Sequence, residues 1–278
     1  MPVKVIQGNS PVILSMPHTG VEVPHEILQK LNTTGQTLAD TDWHVHQLYA
    51  DLLPQATLVR ATFHRYVIDA NRGPADESLY PGQNTTGLCP VTDFDGQSIY
   101  RSGCEPNTEE IEHRRKKYHQ PYHEALTNEI ERVHQQHGIV VLCDCHSIRS
   151  ILPFLFNGIL PDFNIGTNDG KSCDSQIEKS VIETCKNAEN YNTVLNGRFK
   201  GGWTTRHYAN QISNIHAIQI ELAQSAYMQE VEPWLYLSEK AEKLRQILSS
   251  ILNNLEHTAY QLTDRPLPDS SPTEEIFT

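Results

Sequence analysis

Two short stretches place metal-binding side chains directly after apolar runs. Pro17-His18-Thr19-Gly20 follows the run at 11–15, and Asp144-Cys145-His146-Ser147 follows the run at 139–143. A histidine just past the C-terminal end of a buried strand stands where open α/β sheets hold their ligands. A third donor comes from Asp40-Thr41-Asp42, which opens an amphipathic helix carried by Trp43, Val45, Leu48, Tyr49 and Leu52. Two imidazoles and one carboxylate leave a position of a zinc ion open to water, lower the pKa of that water to about 7 and polarise a carbonyl. Asp42 is preferred as the oxygen donor because it lies nearer the helix body, with Asp40 as its rival. Glu221, at the end of the apolar run 215–222, is placed to take a proton from water and return it to a leaving amine. Capping of a strand or helix end is the competing reading for each of these polar residues.

Arginine suits a carboxylate because its fork donates two parallel hydrogen bonds. The candidates are His64-Arg65, Asn71-Arg72 and Thr204-Thr205-Arg206-His207. Asn71-Arg72 follows the apolar run 66–68 and opens a Gly, Pro, Asn and Asp-rich stretch to 107, of a length that is either functional or disordered. Arg206 follows Gly201-Gly202, where missing side chains allow close backbone approach. Cys145 beside a histidine is a rival nucleophile of the cysteine-hydrolase kind.

The elements that must position these residues alternate. Strands are expected at 11–15, 56–59, 66–68, 139–143, 154–160, 193–195 and 215–222. Helices are expected from Asp42 to Leu52, at 108–136 with His137-Gly138 as a stop, at 174–186 and at 232–255. The pattern predicts a three-layer α/β/α domain around a mainly parallel or mixed sheet. A chain of 278 residues with 38% hydrophobic content buries one substantial core, expected over 1–264, with a loose Pro, Ser and acid-rich tail at 265–278.

No run reaches the roughly 18 apolar residues that cross a bilayer, and the N-terminus lacks the halves of a signal peptide, so the cytoplasm is the expected location, with no membrane partner. A net charge of -12 argues against nucleic acid, whose binding neutralises phosphates. A small anion remains compatible, because local arginines focus positive potential. Six cysteines without a paired CxxC framework predict neither a disulfide scaffold nor a thiolate zinc site. The fourteen histidines are dispersed, unlike a metal-buffering tract.

Longer stretches carry a family resemblance: SMPHTG (15–20), HRYVIDANRGP (64–74), LYPGQNTTGLCP (79–90), DCHSIRS (144–150), NGRFKGGWTTRHYA (196–209) and HAIQIELAQSAYM (216–228). The chain resembles the N-formylglutamate amidohydrolases, or deformylases. The resemblance implies a mixed-sheet fold like that of the zinc carboxypeptidases and one divalent metal ion, Zn2+ above others. It also implies hydrolysis of N-formyl-L-glutamate, a small dianion, to L-glutamate and formate at the end of a histidine-degradation route. Carried over residue by residue, it implies His18 and His146 as ligands, Glu221 as base, and Asn71, Arg72 and Arg206 as substrate-carboxylate contacts. Val21 stands where the carboxypeptidase pattern has its acid, so the oxygen ligand must come from elsewhere. The alternatives are a related deacylase of another N-acyl amino acid and a ligand-binding relative without activity.

Overall fold

Strands that bury both faces read as unbroken apolar runs, and two such runs form the centre of the sheet. The computed structural model describes residues 1–77 and 82–263, so the expected tail at 265–278 and part of the 79–90 stretch lie outside the described residues. The strands are β1 (Val3–Ile6), β2 (Val12–Met16), β3 (Thr57–Ala61), β4 (Val140–Ile148), β5 (Phe163–Gly166), β6 (Thr193–Leu195) and β7 (Ile215–Ala223). One-turn helices α1 (His25–Leu28), α2 (Thr33–Gln36) and α3 (Val45–Leu48) precede the longer α4 (Thr108–Arg114), α5 (Gln120–His137) and α6 (Ser175–Lys186). The short α7 (Trp203–Tyr208) and the C-terminal α8 (Ser238–Leu262) complete the set.

The seven strands form one mixed sheet in the order β1-β3-β2-β4-β7-β5-β6. Its four middle strands, β3, β2, β4 and β7, are parallel, while β1 runs antiparallel to β3 and β5 antiparallel to β7. Helices cover both faces, as the three-layer expectation requires. On one face Cys143 and Cys145 of β4 and Ile218, Ile220 and Leu222 of β7 pack with Val181 of α6 and Leu248 of α8. On the other, Val140, Leu142 and Ala217 pack against Tyr122, Leu126 and Val133 of α5.

Because side chains alternate along a strand, the residues that continue the α5-facing row past Leu142 are Asp144 and His146. Those that continue it past Ala217 are Gln219 and Glu221. Strand register pairs Ser15 with Asp144, Asp144 with Gln219, and His146 with Glu221. The apolar stripe beneath α5 thus turns polar toward the C-terminal ends of three adjacent strands.

Several elements depart from expectation for identifiable reasons. The long helix is interrupted by a π turn at Arg115–His119, just before Pro121, which has no N–H to give and whose ring crowds the carbonyl four residues back. Gly138, at φ 71, ends it as expected. Asp42 lies outside any helix, because His44 adopts φ 59 and confines α3 to one turn. Residues 66–68 form a buried turn rather than a strand: Val67 donates to the His64 carbonyl at 2.9 Å, and a short apolar run does not encode its own geometry. Residues 154–160 likewise form no strand, and His146 stands within β4 instead of beyond its end. The last helix begins only at Ser238, after Trp234 with φ 57. The short elements β1, β5 and α7 carried too little periodicity to be anticipated.

Candidate active site

His18 leaves β2 in a tight turn, and its carbonyl accepts the Asp42 amide at 3.1 Å, which brings the 38–44 loop against the strand end. Three groups then converge. His146 Nδ1 lies 3.0 Å and His18 Nδ1 3.8 Å from Asp42 Oδ2, with all three side chains almost wholly buried. Among the described residues these three are the one group whose ligand atoms, all within 4.8 Å of one another, are arranged to hold a metal ion. His18 Nδ1 is a buried nitrogen with no hydrogen-bond partner, as expected of an atom that donates its lone pair to a cation. Asp40, the rival oxygen donor, lies outside this group: its Oδ2 accepts from the Tyr66 hydroxyl at 2.8 Å and the Phe94 amide at 2.9 Å, and its Oδ1 faces Arg149 at 3.6 Å.

Each histidine is held from behind by a carboxylate. His18 Nε2 donates to Asp69 Oδ1 at 2.6 Å, and His146 Nε2 faces Asp144 Oδ2 at 3.0 Å. Carboxylates only accept, so the His18 ring carries its hydrogen on Nε2, and both rings turn Nδ1 toward Asp42. Asp69 is fixed in turn by Arg65 at 2.6 Å and by the Asn71 amide at 2.8 Å. Burial raises the Asp69 carboxyl, but Arg65 and His18 outweigh it and hold the group well below the carboxylate range. Burial and the nearby Arg65 pull the His18 imidazole down. At His146 burial also pulls downward, and the Asp144 and Asp42 carboxylates overcome it and hold the ring well above its ordinary value. Neither Asp69 nor Asp144 was assigned a role from sequence; Asp69 sits in an aperiodic turn, and only its place two residues before Asn71 marks it.

Glu221 lies on the neighbouring strand beside His146. Burial pushes its carboxyl up to about 8, against the lowering effect of His146. Gln219 fixes its orientation: the Gly202 amide donates to Gln219 Oε1 at 2.6 Å, so Nε2 faces Glu221 Oε2 at 3.1 Å. Thr204 treats Asn71 the same way, donating to Oδ1 at 2.9 Å and turning Nδ2 toward His146 Nε2 at 3.0 Å. From the opposite side His123 and His119 contact the carbonyls of Ala70 and Arg72 at 2.9 and 2.8 Å, bracketing Asn71.

These groups open into a shared cavity. Its walls include His18, Asp42, His146, Glu221, Gln219, Asn71, Phe94 and three arginines, Arg65, Arg72 and Arg198. Arg72 donates to the Thr86 carbonyl at 2.8 Å, so the Gly and Pro-rich stretch supplies part of the wall. Arg206 and His207 are not in the lining. Arg206 donates to the Gly201 carbonyl at 2.9 Å, and His207 stacks on Trp203 within α7 with ring centroids 4.0 Å apart. Arg198 was missed because it lies in an irregular segment and stood out from the other arginines only by falling within a matching stretch. Cys145, the rival nucleophile, faces the opposite side of the sheet, wholly buried, its thiol pushed well above the ordinary range by burial and by Cys143.

Fold and site together define an α/β protein with a buried His-Asp-His metal-type cluster and a neighbouring carboxylate at the C-terminal edge of a mixed sheet. The sequence model of the N-formylglutamate amidohydrolases matches residues 10–228. The chain belongs to that family. It is 44% identical over 252 residues to an N-formylglutamate deformylase of Pseudomonas putida, covering 90% of this chain and 93% of the relative. It is 43% identical over 251 residues to that of Pseudomonas aeruginosa, with 90% and 94% covered. The crystal structure of the N-formylglutamate amidohydrolase from Ralstonia eutropha JMP134 superposes with a TM-score of 0.76 at 25% identity, over 95% of this chain and 98% of that one.

Proposed function

We propose that this protein, through a single unit spanning 1–264, hydrolyses N-formyl-L-glutamate to L-glutamate and formate in the cytoplasm, as the closing step of a histidine-degradation route. The observation that carries this reading is the meeting, in one cavity, of the His18, Asp42 and His146 cluster, the buried Glu221 carboxyl and fixed guanidinium groups. The donor set of two imidazole nitrogens and one carboxylate oxygen fits Zn2+. His18, Asp42 and His146 would hold such an ion, which would supply Lewis acidity and lower the pKa of water to near 7.

The chain's own residues do the rest. Glu221 accepts the proton of the attacking water as the bond to the formyl carbon forms, then delivers it to the nitrogen as the C–N bond breaks. Gln219 holds one carboxylate oxygen of Glu221 and leaves the other for that exchange. Arg72, beside Asn71, anchors the substrate's α-carboxylate and so fixes the amide relative to the base. Arg65 neutralises Asp69 and supports His18.

The test is to measure metal per chain and follow formate release from N-formyl-L-glutamate before and after chelation. We expect about one divalent ion per chain, turnover abolished by chelation and restored by zinc. Turnover indifferent to chelation, or faster release of acetate from N-acetylglutamate or of formate from N-formylaspartate, overturns the reading.

A further inference from the structure

We infer that Arg198 is the specificity determinant that reads the substrate's side-chain carboxylate, leaving the α-carboxylate to Arg72. This inference rests on the deformylase reading and goes beyond it by dividing the two negative charges of the substrate between two walls of the cavity.

The two guanidiniums stand at different depths relative to the metal-type cluster. Arg72 Nη1 is 3.8 Å from Asp69 Oδ2, and Asp69 bonds directly to His18, so Arg72 is one carboxylate removed from a ligand. Arg198 is tied instead to the rim loops. Its Nε donates to the Leu155 carbonyl and its Nη2 to the Asn84 carbonyl, each at 3.1 Å. Neither loop contributes to the His18, Asp42 and His146 group. Arg65 is not a third reader, since its guanidinium is buried in the bond to Asp69.

The chemistry of the substrate matches that difference in depth. Its α-carboxylate shares a carbon with the nitrogen of the scissile amide, whereas its second carboxylate ends an ethylene arm. An arginine near the cluster fits the first, and an arginine at the rim fits the second. The wall around Arg198 combines apolar side chains, Leu155, Phe94 and Phe199, with the polar Asn84 and Thr85, and the guanidinium lies 5.3 Å from the Phe199 ring centre. The apolar side chains pack against the ethylene arm, and the guanidinium offers its fork to the carboxylate at the arm's end. The backbone tethers keep the fork oriented before substrate arrives, which lowers the ordering cost of binding.

The experiment compares kcat/KM for N-formyl-L-glutamate and N-formyl-L-glutamine, an isostere neutral only at the side chain, in the metal-loaded wild type, R198Q, R198K and R72Q. A charge-assisted contact of this kind is worth about tenfold to a hundredfold. In R198Q the preference for formylglutamate over formylglutamine should narrow by that factor, mainly through KM, with R198K intermediate. R72Q should lower both substrates alike, because both keep the α-carboxylate. Equal losses on both substrates in R198Q, or a preference unchanged from wild type, overturn the assignment. A wild type that turns over neither substrate refutes the deformylase reading itself and the assignment with it, whereas an active wild type with an R198Q variant of unaltered preference refutes the assignment alone.

Discussion

Glu221 has no side-chain cation bonded to it and sits in a wall that water reaches only through the cavity, which is how a carboxyl comes to titrate near neutrality. Glu221→Gln keeps the volume and the contact with Gln219 but removes the proton acceptor. Its kcat should fall about a hundredfold to ten-thousandfold with the metal content unchanged. Full turnover at full occupancy rules Glu221 out as base, and loss of metal in the variant reassigns it as a ligand. Sequence made the four residues of this centre visible for different reasons. His18 and His146 were marked by strand ends, and Glu221 by a carboxylate closing an apolar strand. Asp42 was chosen over Asp40 by a helix-start argument that the fold does not support, since no helix begins there; what brings it in is the backbone bond to His18. The arginines were less legible, because which arginine enters a cavity depends on loop paths that leave no periodic trace. Thus Arg72 and Arg65 reach the lining, Arg206 does not, and Arg198 does.

At the scale of elements, the segment leading into α7 decides how the two side-chain amides of the site are turned. Its Gly202 amide orients Gln219, its Thr204 amide orients Asn71, and the backbone passes so close that a Cβ on Gly202 would stand 2.4 Å from Asn71 Nδ2. Gly202→Ala should therefore push the Asn71 amide away from His146. We expect kcat/KM to drop about a hundredfold, the scale of a 1 Å misplacement near reacting groups, with a smaller loss in thermal midpoint, read by steady-state kinetics and calorimetry on the same sample. A fall in midpoint with normal kinetics in the folded fraction would contradict this account. The long helix makes a parallel contribution. Pro121 forces the π turn, and His119 and His123, four apart, end on one face with their rings against the carbonyls flanking Asn71. The helix and its stop at Gly138 could be read from sequence, but the slip inside it could not be placed, because helical periodicity reports the face a residue occupies only while the turn stays regular.

The whole molecule carries an unusual set of neutral groups in its interior. Burial and Arg65 hold the His64 imidazole well below its ordinary value, and burial and His119 do the same for His123. A histidine depressed in the folded state contributes stability that is complete above its unfolded pKa, near 6.5, and is lost as pH falls below that value. Asp40 has the opposite sign: burial pushes its carboxyl up to about 7 against Arg65, so its contribution is present below the unfolded value near 4 and lost as pH rises through 7. Relative to wild type, Asp40→Asn should therefore lose stability between pH 7.5 and 5.5, because it removes a contribution that grows as pH falls, on the order of 1–2 kcal/mol by denaturant midpoints. An identical pH slope in the variant would show that Asp40 titrates normally. The core that creates these environments was legible in its layers and central strands, since β2, β4 and β7 are apolar runs. No described helix is long and apolar enough to cross a membrane.

The register that sets His146 beside Glu221 has a further consequence. Proposed ligand and proposed base are bound to each other by the hydrogen bonds of two central strands, whereas the proposed substrate-reading groups hang on irregular segments around Asn84, Leu155 and Arg198. A combinatorial library confined to those segments leaves the ladder between β4 and β7 intact. Selection for a new acylated amino acid then explores recognition while the proposed hydrolytic pair is inherited unchanged, so retargeting this scaffold becomes a problem of loop design.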